Sequence, residues 1–86
     1  MRQIQLLYFA RIRETLATES ETLGLPEEVG TVAELIVWLA ARGGAWAEVF
    51  ASRQVFRVAI NQEVVSKSCA IPAGAEVAIF PPVTGG

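Results

Sequence analysis

The chain closes with the run EVAIFPPVTGG, residues 76–86, and the rest of the sequence is organised around it. Val77 and Ile79 alternate with their neighbours at the two-residue period of a strand that buries one face. Pro81–Pro82 ends that strand, because proline cannot donate to a sheet ladder. The six residues from Pro81 onward span about 20 Å when extended, and glycines without a Cβ fit a narrow channel. The run therefore predicts a strand that delivers an extended tail with a terminal carboxylate available for chemistry.

The opposing interpretation of this tail is an ordinary frayed terminus, which describes most chain ends. At average glycine usage, two closing glycines arise by chance about once in 200 chains, so Gly85 and Gly86 alone are weak support for a function. Their position behind a hydrophobic strand that stops at two prolines favours the functional interpretation.

Length and charge limit what else the chain can do. Its 86 residues make one domain with a modest core and no room for an enclosed cofactor, which indicates a carrier or accessory protein. The net charge is −2 and both signs are scattered, so the sequence shows no basic patch that would bind nucleic acid or a membrane surface. With no apolar run near the ~20 residues of a membrane span and no leader pattern, we expect a soluble, cytoplasmic protein.

Cysteine and histidine usage argues against metal chemistry. One cysteine cannot form an internal disulfide, and with no histidine the chain offers no transition-metal cluster, so no metal site is predicted. Nothing marks Cys69 as an activated thiolate, and we interpret it as an inert, small apolar residue. We interpret Arg11, Arg13 and Glu14 as a solvated helix face, although Arg13 is a candidate for assisting docking.

The first half of the chain predicts two strands and two helices. Gln3–Phe9 alternates as a strand with Ile4, Leu6 and Tyr8 on one face; Ala10–Ala17 predicts a short helix, and Glu19–Leu25 an antiparallel second strand. Thr31 and Glu34 form a capping box, so the main helix begins there and ends at Gly43–Gly44. Its core stripe is Val32, Leu35, Ile36 and Leu39. Its second side, with Val37 and Trp38, is expected to be covered by Trp46, Val49 and Phe50.

The second half predicts a hairpin and the tail-bearing strand. Val55–Ile60 alternates as a strand, Asn61–Gln62 is a turn without the favoured glycine, and Glu63–Val65 returns. Ala73–Gly74 signals the turn before the last strand. The order of elements predicts an α+β domain of the β-grasp (ubiquitin-like) type, a mixed sheet of four to five strands on one main helix. We expect residues 1–80 to form the domain and residues 81–86 an extended tail.

Three stretches resemble the small, sulfur-carrying subunits of molybdopterin synthases. They are the opening LLYFA (residues 6–10) with Arg13–Glu14, the AINQ turn (59–62), and above all the closing EVAIFPPVTGG (76–86). The closing FPPVTGG is the specific part of the resemblance, since the fold and a bare Gly-Gly are shared by many ubiquitin-like carriers. Ala75 departs from the acidic residue that the family often carries after the turn glycine.

The resemblance implies that Gly86 is the reactive residue. An E1-like adenylating enzyme that uses ATP and Mg²⁺ would activate the Gly86 carboxylate, and sulfur would then replace the adenylate. The thiocarboxylate would supply sulfur to a pterin precursor, with two carrier copies for each dithiolene. The catalytic residues would belong to a large subunit, in a heterotetramer of two small and two large subunits. This chain would bind no cofactor itself and would be a sulfur-donating rather than a catalytic subunit.

The remaining site residues follow from the resemblance together with the face of each strand that is predicted to be buried. Phe9, Val64 and Phe80 are expected on the outer side of the sheet as the partner interface. The tail residues expected to insert into the partner are Pro81, Pro82, Val83, Thr84 and Gly85.

The sequence leaves two further classes of function open. One is a sulfur carrier of another pathway, serving thiamine, cysteine or transfer-RNA thiolation. The other is a ubiquitin-like protein modifier, or an interaction module whose tail is never activated. Lysine-linked conjugates would identify a modifier, and a thiocarboxylate would exclude the inert module.

Overall fold

The computed structural model describes residues 2–51 and 55–82, which form five strands and three helices. None of these helices is long and apolar enough to cross a membrane. In chain order the elements are β1 (Arg2–Tyr8), α1 (Ala10–Leu16), β2 (Ser20–Leu25), α2 (Val32–Ala40), α3 (Gly44–Phe50), β3 (Arg57–Ile60), β4 (Glu63–Val65) and β5 (Glu76–Phe80).

The five strands form one mixed sheet in the order β2-β1-β5-β3-β4. β1 pairs antiparallel with β2 and parallel with β5, while β3 pairs antiparallel with both β5 and β4. The predicted β-grasp arrangement is confirmed, and β5 occupies the centre of the sheet. The strand that leads into the tail is therefore hydrogen-bonded on both sides.

One face of this sheet packs against α2 and carries the core. The buried strand residues follow the predicted alternation, and the predicted stripe of α2 is buried opposite them. Ala75, where the sequence departs from the resembled family, is also buried, directly before β5. Side chains with at most 2% exposure form the centre of the core: Ile4, Leu6, Tyr8, Ile12, Leu25, Val32, Leu35, Leu39, Val49, Ile71, Ala75, Val77 and Ile79.

The capping box at the start of α2 is confirmed. The Thr31 hydroxyl accepts the Glu34 amide, and Oε1 of Glu34 accepts the amides of Thr31 and Gly30. These backbone donors, followed by the Thr31 hydroxyl, hold the pKa of Glu34 below its ordinary value. The cap begins the helix at the residue that the sequence indicates.

The β3–β4 hairpin forms without glycine, but β3 is shorter than predicted. Asn61 and Gln62 both adopt left-handed backbone angles, with φ of 50° and 71°, as a two-residue hairpin turn requires. The prediction that β3 starts at Val55 is wrong, because the strand begins at Arg57. Arg57 pairs with Phe80, the last residue of β5, so the residues before it have no partner on that strand. Val55 is accordingly 61% exposed.

The expected cover over the second side of α2 is only partly present. Val49 and Phe50 of α3 are buried, and Trp46 packs on the core. Val37, however, remains 72% exposed, so its expected burial is wrong. α3 contributes a different contact, a stack of its own Trp46 and Phe50 rings with centroids 6.3 Å apart.

A polar chain at the edge of the core joins β1 to β2 and to the loop between α2 and α3. The hydroxyl of Tyr8, whose side chain is buried, donates to Oε2 of Glu21 at 2.9 Å. Both terminal nitrogens of Arg42 donate to the same carboxylate, at 3.0 and 3.1 Å. The Arg42 guanidinium also lies 4.4 Å from the centroid of the Trp46 ring. Burial and the neighbouring Glu21 raise the pKa of Tyr8, so its hydroxyl stays protonated as a donor.

We expect Tyr8→Phe to lower the free energy of unfolding by about 1.5 kcal/mol, the lower range for a hydrogen bond to a charged group. The ring and its packing remain, while Glu21 loses one donor. Urea denaturation of both proteins measures the difference. Glu21→Gln in the Tyr8→Phe background is the matched control, because its further cost reports only the Arg42 pair. Unchanged stability of Tyr8→Phe would contradict this account of the polar chain.

Candidate functional site

The root of the tail is fixed at the centre of the sheet. β5 ends at Phe80, and Pro81 and Pro82 follow outside the strand, half-buried against the domain. The Phe9 amide donates to the Ile79 carbonyl at 3.1 Å on one side, and Arg57 pairs with Phe80 on the other. The segment that leads to the terminal carboxylate therefore starts from a rigid position.

The sheet face turned away from α2 is the candidate docking surface. Register places Leu7, Ala78, Ala59 and Val64 in one row across β1, β5, β3 and β4. The next row toward the tail contains Phe80 and its partner Arg57, with Phe9 following directly after β1. We call the apolar members of these two rows the outer-face patch: Leu7, Phe9, Ala59, Val64, Ala78 and Phe80.

The exposure of the patch fits a surface that contacts another molecule. Phe9 is 44% exposed and Val64 is 61% exposed, whereas Phe80 is half-buried. Ala59 is only 6% exposed although it lies outside the core cluster. Ala59 and Ala78 make a low floor in the middle of the first row, between Leu7 and Val64. Such a shape accepts protruding apolar side chains from a partner.

The turn from β1 into α1 holds Phe9 outward. Phe9 is the extended residue before the helix, and Ala10 after it has a φ of 52°, the left-handed region that L-residues seldom occupy. On the other side of α1, Arg11 donates to the Val55 carbonyl at 3.3 Å. Arg13 is exposed, one helical turn after Phe9. The predicted outward orientation of Phe9 is confirmed, and its role in binding stays a prediction.

The predicted reactive residue and most of the inserting tail lie outside the described residues. These are Val83, Thr84, Gly85 and Gly86. The structure describes the tail only as far as Pro82, so what it contributes to the site is the root and the surface around it.

Other chemistry-bearing residues of the described ranges do not converge on a second centre. Within residues 2–51 and 55–82, no group of three or more cysteine or acidic residues is placed to hold a metal ion. Cys69 is half-buried against the core, and its thiol donates to the Ala70 carbonyl at 3.4 Å. This packing agrees with the interpretation of Cys69 as a structural residue.

The sequence of the chain matches a known protein family over nearly its whole length. The model of the ThiS family matches residues 6–86 of the chain. The chain belongs to the ThiS family. The match includes both the sheet that forms the outer-face patch and the tail, so both parts of the site are covered by it.

Curated relatives of this ThiS-family chain are similar to it over nearly its whole length. The molybdopterin synthase sulfur carrier subunit of Escherichia coli strain K12 is 36% identical over 96% of this chain and 99% of its own. The human protein of the same name is 31% identical over 98% of this chain and 94% of its own. The predicted family resemblance is confirmed.

Solved structures share the fold. SAMP1 from Haloferax volcanii has a TM-score of 0.75 at 25% identity, covering 98% of this chain and 99% of its own. The complex of subunits 1 and 2 of the molybdopterin-converting factor from Helicobacter pylori contains a chain with a TM-score of 0.66 at 19% identity. The match covers 98% of this chain and 99% of that one. These likenesses agree with the β-grasp architecture.

The sequence interpretation missed part of the surface. It identified Phe9, Val64 and Phe80, but not the alanine floor or the place of Arg57 beside Phe80. The alternation of Val58 and Ile60 as core residues does put Arg57 and Ala59 on the outer face. Which residues then stand beside one another depends on the register between β5 and β3, which a strand pattern alone does not fix.

Proposed function

We propose that this chain is the sulfur carrier subunit of a molybdopterin synthase. The observation that carries the proposal is the closing PPVTGG run, launched from the central strand next to an exposed apolar patch. Relatives that are 31–36% identical over nearly the whole chain bear that name, which supports the assignment.

The reactive atom in this proposal is the carboxylate carbon of Gly86. A carboxylate is a poor acyl donor because its leaving group would be oxide. One carboxylate oxygen therefore attacks the α-phosphorus of ATP in an E1-like enzyme, which releases pyrophosphate and forms an acyl-adenylate. A sulfide equivalent then attacks the acyl carbon and displaces AMP, which leaves a thiocarboxylate on Gly86. ATP and Mg²⁺ act in the activating enzyme.

The partner in the second stage is a large subunit that binds the pterin precursor. The Helicobacter pylori complex, which joins subunits 1 and 2 of the molybdopterin-converting factor, supports a partner of this kind. Two thiocarboxylate-bearing copies supply the two dithiolene sulfurs, consistent with an assembly of two small and two large subunits. Histidine is absent from the chain, which fits a division in which the partner supplies the acid–base residues.

The domain's own role is to set the position of the tail. Phe9, Val64 and Phe80 dock on the large subunit, and Pro81 and Pro82 direct the chain away from the sheet. From this root the last six residues reach about 20 Å, which places Gly86 deep in a cleft of the partner. Val83, Thr84 and Gly85 occupy the channel that leads into this cleft. Gly85 needs the least width there, because it has no side chain.

The test of this proposal is complex formation with the large subunit. The chain and a molybdopterin synthase large subunit are mixed, and the complex is sought by size-exclusion chromatography and calorimetry. We expect a stable complex of two copies of each chain. A carrier of another pathway would instead leave the large subunit unbound and associate with the sulfur acceptor of that pathway.

A protein modifier is the second candidate. SAMP1, whose name stands for small archaeal modifier protein 1, has the same fold at 25% identity. Its signature would be an isopeptide bond between Gly86 and lysine side chains of other proteins. Tryptic digestion of cell extract from the source organism would then yield lysines that carry the carboxyl-terminal residues of this chain. Under the sulfur-carrier proposal, we expect the thiocarboxylate form and no such branched peptides.

A further inference from the structure

A small pocket opens at the tail end of the sheet, on the side that packs against α2. It has a volume of about 150 Å³ and lies between the start of β3, the end of β4 and the start of α2. Valine side chains and one aromatic ring supply its apolar part, and two cationic residues and a serine supply its polar part. The lining residues are Val32, Phe56, Arg57, Val58, Val65, Ser66 and Lys67.

The two cationic residues of this pocket have no acidic partner among the described residues. The ion pair found in residues 2–51 and 55–82 joins Arg42 to Glu21, and neither Arg57 nor Lys67 contacts a carboxylate there. The Lys67 ammonium lies 5.7 Å from the centroid of the Phe56 ring, so its charge is held near the pocket. A protein of net charge −2 thus presents, at one small opening, two cations that no carboxylate of the described residues pairs with.

Charge is separated along the strands that border the pocket. Arg57 begins β3 and Lys67 follows the end of β4, both at the end where the tail leaves. Glu63 and Glu76 begin β4 and β5 at the opposite end. A partner with the complementary charge distribution would therefore be attracted in one orientation, with its acidic side toward the tail root.

Arg57 connects the pocket, which lies on the α2 side of the sheet, to the proposed docking surface on the other face. Arg57 both lines the pocket and pairs directly with Phe80 of the outer-face patch. A partner that covers Phe80 and extends past Arg57 around the end of the sheet would therefore meet the rim of the pocket. This adjacency makes the docked large subunit the source of the occupant.

We propose that the pocket receives an aspartate or glutamate side chain of the large subunit, paired with Arg57 and Lys67. This inference rests on the proposed function. The methylene stem of the acid would pack on Val32, Val58 and Val65, while its carboxylate faces the two cations. The pair would fix the orientation of the docked carrier, so that the tail root faces the mouth of the partner's cleft.

The experiment measures the dissociation constant of the carrier for the large subunit at several salt concentrations. We expect Arg57→Gln and Lys67→Gln each to raise Kd about tenfold, as for a partly desolvated interfacial ion pair. Both single variants should reduce the dependence of Kd on salt. If one carboxylate bridges both cations, the double variant raises Kd by less than the product of the two single effects.

Two controls separate charge at the pocket from net charge and from folding. Ala73→Glu makes the same unit change of charge in the exposed turn before β5, at the end of the sheet opposite to the tail, and should leave Kd within about twofold. Arg57→Lys keeps the charge and should recover most of the binding that Arg57→Gln loses. Thermal melting of every variant shows that the domain remains folded.

The outcomes distinguish this inference from the function on which it rests. If the unaltered chain fails to bind the large subunit, the proposed function is wrong. If the unaltered chain binds and both glutamine variants bind equally well with an unchanged salt dependence, the acidic anchor is wrong and the proposed function stands. Equal losses for Ala73→Glu and Arg57→Gln would show a general charge effect and would also overturn the anchor.

Discussion

Deletion of Gly86 is expected to abolish dithiolene formation while leaving the folded domain intact. The deletion moves the terminal carboxylate back by one residue, about 3.5 Å along an extended chain. A misplacement of about 1 Å can already cost a hundredfold in rate, so no measurable product should form. The assay is dithiolene formation by the large subunit with carrier that has been incubated with the activating enzyme, ATP and a sulfur source.

Two measurements show whether the loss comes from chemistry. The free energy of unfolding, obtained from thermal melting, should change by no more than about 0.5 kcal/mol, because the deleted residue comes after β5 in the chain. The shortened chain should also compete with the intact carrier for the large subunit, since Phe9, Val64 and Phe80 remain. A matched extension by one residue beyond Gly86 should be equally inactive, because the carboxylate then overshoots.

The opposite results are equally informative. Normal product formation by a chain that ends at Gly85 would contradict the thiocarboxylate mechanism. Loss of folding on deletion would instead show that the tail is a structural part of the domain.

Replacement of Phe9 or Phe80 by alanine should weaken binding to the large subunit far more than it lowers the melting temperature. A central aromatic anchor of an interface contributes about 2 kcal/mol or more, which corresponds to about a 30-fold rise in Kd. Phe9 is 44% exposed in the free domain, so its removal leaves only a small defect in packing. Calorimetric titration gives Kd, and thermal denaturation gives the stability of each variant.

Val37→Ala is the matched control for these substitutions. Val37 is 72% exposed, but it lies on α2, away from the outer-face patch. Its replacement should change neither Kd nor stability appreciably. If Phe9→Ala and Phe80→Ala both bind like the unaltered chain, the outer-face patch has been assigned to the wrong function.

The elements of the fold were predictable because their signals are local. The capping box at Thr31 determines where α2 begins, and proline at 81 ends β5 at the preceding residue. Alternation of Val77 and Ile79 fixes which face of β5 is buried, and therefore that Phe80 turns outward. The role of the tail stays a prediction, since it rests on residue types at positions that lie largely outside the described residues.

The features that escaped prediction depend on contacts between distant segments. The start of β3 at Arg57 depends on where β5 ends, which sets the available hydrogen-bond partners. The chain from Tyr8 through Glu21 to Arg42 joins residues 13 and 21 positions apart, and no local pattern connects them. The pocket that includes Lys67 likewise forms only when β3, β4 and α2 meet.

The mass of the carboxyl-terminal peptide is the most direct test of the central claim that Gly86 carries sulfur. The chain is incubated with an E1-like activating enzyme, ATP, Mg²⁺ and a sulfur source, and is then analysed by mass spectrometry before and after hydrolysis. We predict that one oxygen of Gly86 is replaced by sulfur, that the change needs ATP, and that adding the large subunit with pterin precursor restores the carboxylate as dithiolene appears. A chain that remains an unmodified carboxylate with every activating enzyme of its source organism, or that gains sulfur only at Cys69, would contradict the account.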